Sequence, residues 1–477
     1  MMALDRRAVL AGAAGMAALA IAPAGIGQTP VPGRPPPRPL PDAGRQIARA
    51  GLSGRVAHAL VDPDTGDLLD RGNAALQMPP ASTMKALTAL YALSRLGPRH
   101  RFRTRVLRAG DMLVLAGGGD PVLDTDALAR LADQLVATRP AAAARFAVWA
   151  GALPHLDEIA PEQDDHLAYN PALSGMILNF NRVHLGWRHD QGAIRMSLEA
   201  RARSLSPRAY TIEATAREQF EPFRHRYDGM REQWSIARSA LRGPGGRWLP
   251  VRRPALYAGD VFQTLCRARG LVLPAPEVIA ELPAGPEIAS LDSAPLADLL
   301  RDMLLFSTNL TAEAIGLAAS GAASLTASAA AMGRWLQQQG LGGGFVLRDH
   351  SGLARDSRVT AGGLARALVR AEGADDLRSL LKTDPLDQAD KAPGFTVAAK
   401  TGTLNFVSNL AGQISGATGR RAGFAILCAD EARHQATSGA ELPEGVLSWT
   451  RDAKALQAQL LAGWNARFLQ DPVADLR

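Results

Sequence analysis

Pro79-Pro80-Ala81-Ser82-Thr83-Met84-Lys85-Ala86-Leu87-Thr88-Ala89-Leu90-Tyr91-Ala92-Leu93-Ser94-Arg95-Leu96-Gly97-Pro98 is the stretch that decides how this 477-residue chain is read. The two prolines break the chain. A helix is expected from about Ser82 to Leu96, with Leu87, Leu90, Tyr91 and Ser94 on one face and Gly97-Pro98 as its stop. Ser82 stands at the expected cap position, so a capped helix with a surface lysine is one reading of Ser82-Thr83-Met84-Lys85. The other is chemical. Helix positions i and i+3 share a face, which brings the hydroxyl and the amine within hydrogen-bond reach. A serine hydroxyl is a poor nucleophile until a base takes its proton. Lysine serves as that base only when burial or a nearby cation lowers its pKa.

Working outward, the chain holds 53 basic residues but only five lysines: Lys85, Lys382, Lys391, Lys400 and Lys454. Arginine supplies generic positive charge here, and only lysine can lose its proton near neutral pH. Two of the five fall in motifs. Lys400-Thr401-Gly402-Thr403 stands just before an expected strand. Its glycine lets a substrate backbone lie close. The threonines offer hydroxyl donors, and Lys400 adds a positive charge. Between the two motifs lies Ser307-Thr308-Asn309, after the helical run 296–306. The order S-x-x-K, S-x-N, K-T-G is the signature of β-lactamases and penicillin-binding proteins.

Ser82 and Ser307 are 225 residues apart, room for a large insertion that compact β-lactamases lack. The chain resembles the class C low-molecular-mass penicillin-binding proteins of the DacB type, D-alanyl-D-alanine carboxypeptidases and endopeptidases. The resemblance is carried also by Gly117-Gly118-Gly119-Asp120-Pro121-Val122-Leu123, Asn179-Phe180-Asn181-Arg182-Val183, Pro254-Ala255-Leu256-Tyr257-Ala258, Asp349-His350-Ser351-Gly352-Leu353-Ala354-Arg355 and Asn409-Leu410-Ala411-Gly412. It implies a mixed α/β fold of the penicillin-binding/β-lactamase-like transpeptidase type. A five-stranded antiparallel sheet flanked by helices is expected, with β-rich domains inserted. The peptidase domain is expected at 42–101 and 254–477, an inserted domain at 102–184 and a small β-rich one at 185–253. The resemblance implies Ser82, Lys85, Ser307 and Asn309 as catalytic residues, and Lys400, Thr401, Gly402 and Thr403 as substrate-binding ones. Peptidoglycan stem peptides and β-lactam antibiotics are the implied partners. The alternatives are a catalytically silent peptidoglycan- or penicillin-binding module and a β-lactamase.

The chain departs from the family in three places. Thr308 replaces a common Asp, and His350 replaces a usual Gly. Trp149-Ala150-Gly151-Ala152-Leu153-Pro154 lacks the Asp that meets a diaminopimelate amine in relatives, with Asp157, Asp164 and Asp165 as possible substitutes or simply a solvated acidic loop.

The rest of the chain sets boundaries. Residues 1–24 read as an export signal: Arg6-Arg7, an apolar Ala8–Ile21 stretch, and Ala22-Pro23-Ala24 for cleavage. The paired arginines resemble a twin-arginine signal, and a Sec signal is the alternative. Either implies a periplasmic protein. Seven prolines between Pro30 and Pro41 read as an extended spacer over 25–41. Strands are expected at 56–61, 68–69, 103–107, 112–115, 193–198, 407–414 and 423–429. A helix capped by Asp124 is expected, as are mostly helical patterns over 254–373 and an amphipathic helix over 448–469. No apolar run reaches the ~20 residues of a transmembrane helix. A net charge of +7 is mild, and no nucleic-acid motif accompanies it. Cys266 and Cys428 are expected as buried free thiols. The nine histidines show no metal-ligand spacing, so no metal and no cofactor are expected.

Overall fold

Arg55–Val61 is buried at six of its seven positions. Its alternating side chains serve two cores, as a strand with both faces covered must. Ala57, Ala59 and Val61 pack with Leu87, Leu90, Leu364 and Leu368 on one face. Val56 and Leu60 pack with Trp449, Leu456, Leu460 and Trp464 on the other. The turn after it is built by Asp62, whose Oδ1 accepts from the amides of Asp64 (2.8 Å) and Thr65 (3.1 Å). Gly66 then takes φ +80°, a conformation that favours glycine.

The structure is a computed structural model, and it describes residues 42–386, 394–437, 440 and 442–470. The export signal, the whole of the spacer and Lys391 lie outside the described residues. The central sheet has six strands rather than five. In order across it they are Lys382–Thr383, Phe395–Leu404, Val407–Gly416, Arg421–Ala429, Arg55–Val61 and Leu68–Gly72, all neighbours antiparallel. Helices Met84–Leu96 and Ala361–Arg370 cover one face, and helix Val446–Trp464 covers the other.

A second sheet of five strands runs in the order Pro276–Ile279, Arg145–Trp149, Met112–Ala116, Arg103–Ala109, Glu287–Asp292. Helices Thr125–Ala137 and Pro254–Arg267 pack on it through Leu128, Leu131, Val261 and Phe262. Residues 254–292, expected with the peptidase core, therefore complete this inserted sheet. The reason is topological. Glu287–Asp292 pairs with Arg103–Ala109 and closes the insertion where it opened. The chain returns to the core beside the central sheet with helix Leu296–Phe306. The 185–253 stretch forms strands, and with Arg182–Asp190 they make two three-stranded sheets.

Cys266 and Cys428 are buried free thiols. Among the described residues no single helix is long and apolar enough to cross a membrane. One bent pair, Asn309–Ser320 with Leu325–Gln338, passes that test by length and composition only.

Candidate active site

Ala81–Thr83 is a turn of 3-10 helix, and the α-helix begins only at Met84. Ser82 caps nothing, contrary to the sequence expectation. Ala81 takes φ +45°, which costs a non-glycine residue about 1–3 kcal/mol unless its surroundings enforce it. They do. Asn409 Nδ2 donates to the carbonyls of Pro79 (2.8 Å) and Pro80 (3.0 Å), and Thr83 Oγ1 donates to Pro80 O (2.6 Å). Gly352 presses on the turn so closely that a Cβ there would lie 1.9 Å from Ala81 O. Gly402 approaches from the sheet, where a Cβ would lie 3.0 Å from Pro80 O and 3.1 Å from Ser82 N. Lys400 and Gly402 thus lie inside strand Phe395–Leu404, not just before a strand.

The turn leaves the Ser82 hydroxyl facing Lys85. Lys85 is fully buried, and its Nζ lies 2.9 Å from Ser82 Oγ, 2.8 Å from Asn309 Oδ1 and 2.9 Å from Ser351 O. Burial first, and then the charge of Lys400, bring its pKa down to about 7; Glu313 and Asp349 act the other way. A neutral amine has two hydrogens and one lone pair. Asn309 Oδ1 and Ser351 O can only accept, so they take the two hydrogens. The lone pair is then left for the Ser82 hydroxyl proton.

Ser307 ends helix Leu296–Phe306 in a left-handed conformation (φ +59°), and a new helix, Asn309–Ser320, starts two residues on. This sharp break brings Ser307 and Asn309 to the cleft that contains Ser82. The cleft has a volume of about 540 Å3 and also takes in Ser351, Thr403 and Tyr169. Lys400 is buried, its Nζ donates to Thr401 O at 2.8 Å, and burial lowers its pKa to about 8. Thr401 is half-buried.

Three contributors were given no role in the sequence reading, although two of them, Asp349 and Asn409, stand in its quoted motifs. Glu313 is one helical turn beyond Asn309 and fully buried, and it accepts from the amides of His350 and Ser351, both at 2.9 Å. Burial and the neighbouring Asp349 hold its pKa well above the usual carboxylate range. Asp349 accepts from the amides of Leu353 (2.6 Å) and Ala354 (2.9 Å) and from Ser357 Oγ (2.7 Å). Together these carboxylates set the loop so that the Ser351 carbonyl meets Lys85. Asn409 is the third. The i, i+4 spacing of Asn309 and Glu313 was the available signal for one of them.

His350 is not in the cleft. It is buried and stacked on Tyr91, with Nε2 2.7 Å from Ser328 Oγ, and burial depresses its pKa to about 3. Asp157 engages His155 (3.1 Å) and Arg253 (3.5 Å), while Gln163 and Tyr169 of the same loop line the cleft. Gly117–Gly119 is structural: a Cβ at Gly117 or Gly118 would run into backbone at 2.4 or 2.1 Å. Among the described residues no group of three or more His, Cys, Asp or Glu is arranged to hold a metal ion.

A carboxypeptidase of Mycobacterium tuberculosis is 29% identical to this chain over 458 residues, 82% of this chain and 85% of that protein. The D-alanyl-D-alanine carboxypeptidase of Actinomadura sp. (strain R39) is 28% identical over 465 residues, 83% and 85% of the two chains. The fold matches that of penicillin binding protein 4 (dacB) from Haemophilus influenzae with a TM-score of 0.70 at 20% identity, over 88% of this chain and 100% of that one. The same protein complexed with a β-lactam matches with a TM-score of 0.68 at 20% identity, over the same shares. The model of the D-Ala-D-Ala carboxypeptidase 3 (S13) family matches residues 46–444, and the chain belongs to that family of serine peptidases.

Proposed function

We propose that the chain removes the terminal D-alanine from peptidoglycan stem peptides through an acyl-enzyme on Ser82, with Lys85 as the base. One observation carries this reading: the buried Lys85 amine faces Ser82 Oγ while its other two partners can only accept. Neutral Lys85 takes the hydroxyl proton as Oγ attacks the carbonyl of the penultimate D-alanine. The Ser82 and Thr403 amides hold the oxyanion, as the family resemblance suggests. Ser307, at the helix break, passes the proton from Lys85 to the departing D-alanine nitrogen, and the C–N bond breaks. Water then hydrolyses the ester and frees Ser82. Asn309 orients Lys85. Lys400 with Thr401 and Thr403 meets the terminal carboxylate, and Gly402 lets strand Phe395–Leu404 approach the peptide.

A β-lactam would occupy the same cleft and acylate Ser82. Cleavage of cross-bridges is a second activity of the same chemistry, and residues 1–24 would direct the protein to the periplasm. The test is to incubate the protein with a labelled β-lactam and with a pentapeptide ending in D-Ala-D-Ala. A Ser82 adduct and released D-alanine are expected, and Ser82→Ala should lose both by at least about a thousandfold. An adduct without D-alanine release would point to a silent binding module. Rapid, repeated β-lactam hydrolysis would point to a β-lactamase. An adduct formed by Ser82→Ala would reject Ser82.

A further inference from the structure

Asn179, Phe180 and Asn181 are three consecutive residues at positive φ (52°, 57° and 50°). Such a run is costly and persists only if fixed from outside. Asn179 Oδ1 accepts from Thr125 N (3.0 Å), and its Nδ2 donates to Thr125 Oγ1 (2.8 Å) and Tyr257 OH (3.2 Å). Asn181 accepts from Leu178 N (3.0 Å) and donates to Ala172 O (2.8 Å). The turn delivers Arg182, whose guanidinium lies 5.0 Å from the Phe180 ring and 5.4 Å from the Trp248 ring. Its Nε is buried without a hydrogen-bond partner. Among the described residues the guanidinium has no ion pair. Burial lowers its pKa with no anion to offset the effect. A desolvated charge left unpaired is expensive, and stacking on two rings recovers only part of that cost.

Arg182 and Phe180 line a cavity of about 560 Å3 that also takes in Tyr169, Phe306, Ser307 and Asn309. Tyr169, Ser307 and Asn309 line the catalytic cleft as well, so the two spaces adjoin at the catalytic residues. No residue of strand Phe395–Leu404 borders this second space. The carboxylate assigned to Lys400 therefore belongs to the other side. A stacked guanidinium keeps its N–H edge free for a planar anion. We propose that this cavity is a second substrate subsite, in which Arg182 binds a carboxylate carried upstream of the two D-alanines and the exposed Tyr169 and Phe306 rings flank the peptide. The proposal rests on the peptidase reading above. Asp302, an exposed carboxylate, also lines the cavity; it opposes such a ligand and offers a second handle.

The test uses two pentapeptides that differ in one group: an upstream carboxylate left free or converted to its amide. Native protein should show a KM about tenfold lower for the acid, the effect of one charge-assisted hydrogen bond. Arg182→Gln should erase that preference while labelling by a small β-lactam without such a carboxylate keeps its native rate. Asp302→Asn should widen the preference, and it decides the matter if Arg182→Gln fails to fold. Equal KM values for acid and amide in the native protein overturn the subsite. Failure of both peptides to release D-alanine overturns the peptidase reading itself, and the subsite falls with it.

Discussion

The two sides of the cleft are built on opposite principles. The nucleophile side is closed from every direction. Lys85 and Lys400 are 0% and 2% exposed, a strained turn is clamped by Asn409, and two glycines press on that turn, Gly352 where no Cβ fits and Gly402 where one would be tight. The side formed by Tyr169 and Phe306 is open, with rings 47% and 72% exposed. Reacting groups must be held within fractions of an ångström, which requires surroundings that over-determine them. A binding surface needs only its chemistry and room. The difference teaches which residues tolerate change, and mutations on each side test it.

After Ser82→Ala, the largest effect should come from Lys85→Arg. The charge is kept, but arginine cannot lose its proton at working pH. General-base catalysis contributes about 100- to 10,000-fold, so β-lactam acylation measured by stopped flow should fall at least about a hundredfold, with folding monitored separately by circular dichroism. Near-native acylation would mean that the closed side is not closed around Lys85 as the base.

Next is Gly352→Ala. Its φ of +80° disfavours any side chain, and the new Cβ would overlap Ala81 O. Gly419 has nearly the same φ (+84°) but open space around it. Urea unfolding should show Gly419→Ala costing about 1 kcal/mol, from backbone conformation alone. Gly352→Ala should cost on the order of 3 kcal/mol and slow acylation as well. Equal costs would show that Gly352 is needed for its conformation and not for its close approach.

These residues also mark where the sequence was legible. The three motifs could be read because chemistry dictates side-chain type, and Arg55–Val61 could be read because both faces of a central strand are apolar. Ser351 could not, because its contribution to Lys85 is a backbone carbonyl, which any residue at 351 would carry. The positive φ of Ala81 leaves no trace in an alanine. Residues 276–279 form only a four-residue strand, paired in parallel with residues 146–149 some 130 positions away, so it was lost among the mostly helical patterns over 254–373. Glu313 reads as an ordinary helix residue until its burial is seen. Arg182 was quoted for its family motif, but its lack of an ion-pair partner is visible only in space.

A smaller but more diagnostic effect is expected for Lys400→Ala. In the proposed mechanism, turnover of a D-Ala-D-Ala peptide needs Lys85 neutral and Lys400 charged. Activity should therefore rise with pH through about 7 and decline above about 8, two limbs that belong to the coupled pair of lysines. Removing the Lys400 charge has two consequences with defined signs. Lys85 loses a neighbour that lowered its pKa, so the rising limb moves to higher pH. The falling limb, which reported Lys400, disappears. At pH 7, kcat/KM should drop about 10- to 100-fold through the lost charged contact, and alkaline pH should restore part of it. A uniform loss at all pH values would leave Lys400 as only an anchor of the sheet edge.

The smallest effect should come from Phe306→Ala, the substitution most able to break the comparison. Phe306 is the last residue of helix Leu296–Phe306 and directly precedes Ser307, so sequence position alone would place it in the machinery. Its ring is exposed, and truncation removes little buried surface. Substitutions at such surface positions usually change stability by no more than about 0.5 kcal/mol. The left-handed turn at Ser307 is a backbone feature and should survive, so β-lactam labelling of Ser82 should keep its native rate. What Phe306 offers is a face for the peptide next to Arg182, and that contact is made before and during the chemical step alike. Its loss should raise KM for a pentapeptide a few-fold and leave kcat unchanged, the signature of uniform binding. A drop in kcat, or slower β-lactam labelling, would show that the open side also shapes the reacting groups, and the division between a rigid wall and a tolerant one would have to be given up.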